Sequence, residues 1–138
     1  MTSPNDRNAR IIDEFRNNNG KVGGPFQGMP MLLLHTTGAK SGIERVNPVA
    51  YQHIDDRTWA VFASKGGAPT NPDWYHNLLA HPDVTVEVGV ETMPARARVA
   101  TGDERERIWS KQKKNVPTFA DYEVKTDREI PVVVIEPR

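Results

Sequence analysis

The chain contains no cysteine, so disulfides, thiolate zinc sites and cysteine nucleophiles are excluded. No apolar run approaches the roughly 18 residues that a membrane-spanning helix needs, and the N-terminus lacks the apolar segment of a secretory signal. A length of 138 residues favours one domain. The sequence therefore predicts a single-domain protein of the reducing cytoplasm.

An excess of one charge is also missing, because Lys and Arg together number 18, as do Asp and Glu. Binding of nucleic acid through bulk charge is therefore not expected, and any anion site must be local. The histidines have neither H-x-H nor H-E-x-x-H spacing, so we expect no metal site. They are His35, His53, His76 and His81.

The most patterned stretch, residues 32–67, predicts three consecutive strands. These strands are expected at 31–34, 46–54 and 59–63. A basic, glycine-rich turn follows the first strand at 38–42, and another follows the third at 64–67. Because consecutive strands run antiparallel, both turns lie at the same end, which places Lys40 and Lys65 on one rim.

This rim is predicted to bind a phosphate or a carboxylate. Gly38 and Gly42 leave backbone N–H groups uncovered by side chains, which suits the close approach of an anion. A short helix begins one loop beyond Lys65, with Asn71 as its N-cap and Pro72 at its first position. The N–H groups at that helix end would add to the site. The alternative, two ordinary solvated turns, is less favoured once these features are combined.

Three further strands and two helical segments complete the pattern. The strands are predicted at 84–88, 92–99 and 130–135. Thr101 and Glu104 form a capping box that opens a helix reaching about Asn115, and residues 116–127 are predicted to be irregular or briefly helical. Six strands, mostly joined by hairpins, predict a mostly β fold with short helices: a small antiparallel barrel whose ends the helices cover.

Residues 6–18 predict an N-terminal helix whose apolar side chains share one face, namely Ile11, Ile12 and Phe15. The favoured interpretation is a helix docked on the barrel. The alternative is a weak peripheral membrane contact, because arginines flank the apolar face. We predict an N-terminal helix and tail over residues 1–22 and a single barrel domain over residues 23–138.

Five strings of residues follow one another in the order of a known family. They are TTGAKSG at 36–42, RVNP at 45–48, ASKGG at 63–67, NP-x-WY-x-NL at 71–78 and, after Tyr122, TDR-x-IPVV at 126–133. Together they resemble the actinobacterial deazaflavin-dependent nitroreductase family over roughly residues 23–137. The resemblance implies a split antiparallel β-barrel of the FMN-binding type. Its cofactor would be reduced coenzyme F420, a deazaflavin with a phosphate and a polyglutamate tail.

The resemblance also implies where the cofactor binds. Around the phosphate and the tail it puts Ala39, Lys40, Ser41, Arg45, Val46, Asn47 and Pro48. Along the deazaflavin it puts Phe62, Ala63, Ser64 and Lys65. The phosphate side would be closed by Trp74, Tyr75 and Asn77. The rim predicted from the strand pattern agrees with this placement, because it includes Lys40 and Lys65.

Ser64 and Tyr122 are the catalytic residues that the resemblance implies, with Ser64 orienting or protonating the substrate. The substrate pocket would be lined by Ala50, Phe119 and Tyr122. Compared with family members that carry tyrosines at the positions of Ala50 and Phe119, this pocket would be more open and more apolar. That difference disfavours nitroimidazole activation more than it disfavours cofactor binding.

The implied function is hydride transfer from reduced F420 to an electron-poor conjugated acceptor such as a quinone, an enone or lactone, or a nitroaromatic. Two alternatives stay open, an FMN-dependent oxidoreductase on the same type of barrel and a non-enzymatic deazaflavin carrier. The expected partners are the small-molecule acceptor and, for a barrel of this size, a second copy of the chain in a homodimer.

Overall fold

A computed structural model of the chain describes residues 4–23 and 29–138, with side chains described from Asn8 onward. Parts of the predicted N-terminal helix and tail (1–3) and of the predicted barrel domain (24–28) lie outside these residues. In chain order the helices and strands are α1 Pro4–Asn17, β1 Met31–Thr37, β2 Glu44–Asp55, β3 Thr58–Phe62, α2 Asp73–Ala80, β4 Asp83–Val88, β5 Glu91–Val99, α3 Gly102–Asn115, α4 Thr118–Lys125 and β6 Val132–Pro137.

The six strands form a closed antiparallel barrel in the order β1-β2-β3-β6-β5-β4. Pairing of β1 with β4 closes it. Side chains that point inward, such as Leu32 and Leu34, form the barrel core, while Leu33 on the same strand points outward and packs with α1. Because helices cover parts of the outside, some strands are buried on both faces and therefore appear in the sequence as unbroken apolar runs. The predicted split-barrel fold class is confirmed.

Two predictions about helix ends are wrong. The N-cap of α2 is Pro72, because the side chain of Asn71 instead accepts a hydrogen bond from Arg128. Thr101 is the N-cap of α3 as predicted, but its side chain makes no capping bond, and Glu104 forms an ion pair with Arg98. In both cases an arginine outside the helix binds the side chain that was expected to take part in the local cap.

Residues 118–125 form a regular helix, α4, within the stretch that the sequence left as irregular or briefly helical. Phe119 anchors this helix in an apolar cluster that also contains Phe62 of β3 and Trp109 of α3. Burial of large aromatic side chains contributes more stability than eight residues of helix propensity can, since short isolated helices are marginal in water. Tertiary packing therefore fixes α4.

The N-terminal helix docks on the barrel through the face that the sequence predicted. Phe15 is only 1% exposed and packs with Val22, Met31 and Leu33. Because the barrel already covers this apolar face, the structure favours docking over a peripheral membrane contact. Among the residues described, no helix is both long enough and apolar enough to cross a membrane.

A charged cluster fastens the end of α1 to the barrel. Arg16 donates two hydrogen bonds to Glu87 of β4, at 3.1 and 2.7 Å. His35 of β1 lies 2.6 Å from the same carboxylate through Nε2. The hydrogen bond from Arg16, assisted by that of His35, holds the pKa of Glu87 below its ordinary value of 4.5. The carboxylate therefore belongs to the docking surface of α1.

We expect Glu87→Gln to lower the free energy of unfolding by roughly 1 kcal/mol at neutral pH. A depressed folded-state pKa means that the carboxylate stabilises the fold above pH 4.5 and loses this effect as the pH falls through the lowered pKa. Urea unfolding at several pH values should therefore show that the difference in unfolding free energy between wild type and variant becomes smaller toward acid. The control is Glu91→Gln, because Glu91 is exposed at the start of β5. A difference that becomes larger toward acid contradicts the prediction.

Candidate functional site

A cleft of about 600 Å³ opens on one side of the barrel, where β2, β3 and the helices α1, α2 and α4 approach one another. Its volume is typical of small-molecule sites. Nine of the residues proposed from the sequence line it: Asn47, Pro48, Ala50, Phe62, Ser64, Lys65, Trp74, Phe119 and Tyr122. The structure thus brings together, in one cleft, residues that are up to 75 positions apart in the chain, from Asn47 to Tyr122.

Aromatic rings form one wall of the cleft. Phe62 meets Phe119 edge-on with ring centroids 5.5 Å apart, and Phe119 meets Tyr122 at 5.3 Å in the same manner. Trp109 packs behind this wall, 5.8 Å from Phe62. Trp74 of α2 adds a further apolar surface and is only 6% exposed. Flat, apolar walls of this kind suit a planar conjugated ring.

Ser64 places a hydroxyl group at this wall. The residue is 8% exposed and lines the cleft, and none of the hydrogen bonds between described residues uses its hydroxyl. The adjacent ammonium group of Lys65 makes only a 3.5 Å contact with Thr70 Oγ1. Both groups are therefore available to a ligand, one as a neutral donor and the other as a cation.

The backbone beside Ser64 has an unusual conformation. Lys65 has a φ of +48°, and Gly66 and Gly67 follow at +64° and +85°. A left-handed conformation is uncommon for a residue with a side chain. A Cβ on Gly67 would lie 2.9 Å from both the Tyr122 carbonyl oxygen and Lys125 Cβ, so this turn sits directly on α4. This contact of Gly67 joins the turn that begins at Ser64 to the helix that carries Tyr122. Ser64 and Tyr122 are the two predicted catalytic residues.

The turn at 38–42 is not part of the cleft lining. The N–H of Ala39 donates to Asn77 Oδ1 at 2.9 Å, and Asn77 Nδ2 donates to Thr36 Oγ1 at 3.2 Å. The N–H groups of Gly38 and Gly42 also have acceptors within the turn. The N–H groups of Gly38 and Gly42, which were expected to be available to an anion, are therefore already bonded within the turn, and Asn77 joins α2 to the turn.

Eight predicted cofactor-binding residues lie outside the cleft lining: Ala39, Lys40, Ser41, Arg45, Val46, Ala63, Tyr75 and Asn77. Lys40, Ser41 and Arg45 are exposed, so they are accessible to a long ligand that leaves the cleft along β2. Val46 packs toward α1, and Ala63 is fully buried. The assignment of these eight residues to the cofactor stays a prediction.

Several residues that line the cleft were not among those predicted for the site. Asn8 and Ile11 of α1 belong to it, as do Met31 and Asp73. Only the docking of α1 brings the first two there, and no local pattern reveals where a helix docks. The cleft therefore contains a carboxylate as well as the ammonium of Lys65.

A larger groove, of about 860 Å³, lies near the C-terminal end of α1. It is lined by Asn17, Asn18, Asn19, Gly20 and Tyr51 among others, and by none of the residues predicted to bind the cofactor or the substrate. Tyr51 is its single aromatic residue among the described lining residues, so it lacks the paired aromatic walls of the smaller cleft. The smaller cleft is therefore the candidate site.

Comparison with known proteins identifies the family to which the chain is similar. Residues 8–137 match the sequence profile of a family described as F420H(2)-dependent quinone reductase. An F420H(2)-dependent quinone reductase of Mycobacterium tuberculosis, strain H37Rv, is 38% identical over 128 residues, which cover 90% of this chain and 85% of that protein.

Two solved structures have the same fold. One, described as an F420-H2 dependent reductase (FDR-A), is 42% identical, superimposes with a TM-score of 0.70, and is matched over 78% of this chain and 94% of its own. The other, described as a domain-swapped dimer, is 38% identical with a TM-score of 0.72, and the match covers 97% of this chain and 100% of that one.

Proposed function

Because the chain belongs to the F420H(2)-dependent quinone reductase family and uses reduced coenzyme F420, we propose that it catalyses hydride transfer to a quinone held in the cleft beside Ser64. The resemblance that the sequence showed to F420-dependent reductases is confirmed, as are the cofactor and the class of enzyme. The identity of the acceptor and the roles of single residues are the proposal.

The residues of the cleft fit this cofactor. Phe62 and Trp74 provide apolar surfaces for a planar ring, and Lys65 provides a cation for an anionic group. Asn47 and Pro48 extend the cleft along β2 toward exposed Lys40 and Arg45, where a charged tail would lie in solvent. When bound, the cofactor supplies the hydride, and the protein supplies position and polarity.

The unpaired hydroxyl of Ser64 is the observation that carries the proposal. Hydride transfer to a quinone leaves negative charge on a carbonyl oxygen, and a donor already fixed at that point stabilises the charge as it develops. The aromatic side chains of Phe119 and Tyr122 line the same region. Tyr122 is half-buried, and its hydroxyl is a second candidate donor.

The lining favours apolar acceptors. Ala50 and Phe119 contribute no hydroxyl, and Ile11 and Met31 add further apolar surface. We therefore propose quinones as the preferred acceptors, followed by conjugated enones and lactones, with nitroaromatic compounds reduced more slowly. A nitro group needs several polar partners, and at the aromatic wall the described residues offer it only the hydroxyls of Ser64 and Tyr122.

The first test is a pair of titrations of the purified protein, with F420 and with FMN, followed by tryptophan fluorescence because Trp74 lines the cleft. We expect saturable binding of F420 alone, and oxidation of F420H2 on addition of menadione under anaerobic conditions. Binding of FMN alone would move the assignment to an FMN-dependent oxidoreductase. Binding of F420 without turnover by any acceptor would make the protein a carrier.

A homodimer is part of the proposal. Its support is the relative, 38% identical over its whole chain, whose structure is described as a domain-swapped dimer. Light scattering on the purified chain measures the mass directly, and a monomeric mass at the concentrations of the assay would remove this element of the proposal.

A further inference from the structure

Arg128, which lies between α4 and β6, reaches back to the segment that follows β3. Its guanidinium donates to the carbonyl oxygens of Ala63 at 3.1 Å, Ser64 at 2.9 Å and Ala68 at 3.0 Å. It also donates to Asn71 Oδ1 at 2.7 Å. One side chain therefore holds four points of residues 63–71, on both sides of the Ser64 turn.

All four acceptors are neutral. The ion pairs found among the described residues do not include Arg128, although Asp127 and Glu129 flank it in the chain. Burial lowers the pKa of Arg128, as expected for a cation partly removed from water without a carboxylate beside it. A surface ion pair would not be arranged in this way. The planar fork of donors is instead matched to a set of backbone carbonyls.

The segment that Arg128 contacts has a backbone conformation that depends on stabilising contacts. Lys65 has a φ of +48°, and the next two residues also have positive φ. Glycine adopts positive φ readily, but a residue with a side chain, such as Lys65, persists there only where its surroundings hold it. Gly67 packs the turn directly against α4, and hydrogen bonds from Arg128 hold the two ends of the turn.

We propose that Arg128 is a positioning residue, which keeps the Ser64–Lys65 turn in the conformation that binds the cofactor. The inference rests on the proposed function of the cleft and extends it to a residue outside the cleft lining. Loss of the clamp lets the turn relax, which moves the ammonium of Lys65 and the hydroxyl of Ser64 together.

The test is a double-mutant cycle on the Kd for F420, measured by tryptophan fluorescence. We expect Arg128→Gln to raise Kd at least tenfold and Lys65→Gln to raise it several-fold. The double variant should bind no more than about twofold worse than Arg128→Gln, because residues that act as one unit are not additive. Arg138→Gln is the matched control, since Arg138 also donates to two backbone carbonyls, of Val84 and Ala95, away from the cleft.

Arg128→Lys distinguishes position from charge. A lysine keeps the positive charge but lacks the fork of donors, so we expect it to bind F420 as weakly as Arg128→Gln. Wild-type affinity in the lysine variant, or additive effects in the cycle, overturns the inference. If Arg128→Gln does not fold, Asn71→Ala removes one of the four bonds, and the same non-additivity with Lys65→Gln is expected.

A measurement without cofactor separates this inference from the proposed function. Amide resonances of Gly66 and Gly67 in the free protein should shift in Arg128→Gln and stay in place in Arg138→Gln. Unchanged resonances overturn the positioning role, whatever the protein binds. Shifted resonances in Arg128→Gln, together with a wild-type protein that does not bind F420, overturn the proposed function and leave the clamp established.

Discussion

Ser64→Ala lowers kcat for reduction of a quinone by F420H2 about 100-fold and leaves the Kd for F420 within about twofold of wild type, if the hydroxyl acts as proposed. The hydroxyl is unpaired among the described residues and lies in a largely apolar cleft, where a fixed donor is worth more than in water. Removal of the oxygen leaves the walls unchanged, so the loss should fall on turnover rather than on binding.

The control for this variant is Ser110→Ala, which removes an exposed hydroxyl on α3. Steady-state kinetics with several quinones and a separate binding titration divide the effect between kcat and Kd. Full turnover in Ser64→Ala with every acceptor would show that the hydroxyl has no catalytic role. An equal loss in Kd and in kcat/KM would show instead that Ser64 only binds the cofactor.

Gly67→Ala is expected to destabilise the protein by about 2 to 4 kcal/mol, through a strained backbone and a steric clash. The φ of Gly67 is +85°, and its added Cβ would lie 2.9 Å from the carbonyl oxygen of Tyr122. Backbone cannot rotate away as a side chain can. Thermal unfolding should show a Tm lower by roughly 6 to 12 °C. Tyr122 must also move, so turnover falls in the protein that remains folded.

Gly66→Ala is the matched comparison, because Gly66 has a φ of +64° but no heavy atom within 4 Å of the added Cβ. This variant should lower the free energy of unfolding only by the backbone strain, about 1 kcal/mol. The difference between the two variants isolates the contact between the turn and α4. Equal losses in both would show that the contact with Tyr122 contributes nothing to stability.

The strands and the turns between them could be predicted from the sequence because their signals are local. The apolar run at 31–34 and the glycines that follow it mark β1 and its turn, and the same logic marks β3. Counting antiparallel strands then placed the 64–67 turn at the end of β3 that leads to α2. Each step used only neighbours in the chain, so no tertiary contact could overturn it.

The composition of the cleft could be predicted only in part. Phe62, Ser64 and Trp74 follow one another within a short stretch and share a site for that reason. Ile11 comes from a helix whose docking depends on the packing of Phe15, a contact across the molecule. Asn71 was predicted to cap α2, but its side-chain oxygen instead accepts a hydrogen bond from the guanidinium of Arg128, 57 positions later in the chain. Long-range contacts decided each of these cases.

The closed barrel has a consequence for the kinetics of assembly. In the part of the chain that the structure describes, every strand of the barrel has a neighbour on both sides, so none is an edge strand that could accept a strand from a second copy. Two copies can therefore associate through their surfaces, quickly and reversibly, or by exchanging a strand, which requires the ring of strands to open first. Exchange of the second kind is limited by local unfolding rather than by diffusion. Mixed dimers of differently labelled chains would then form over hours, and faster in mild denaturant.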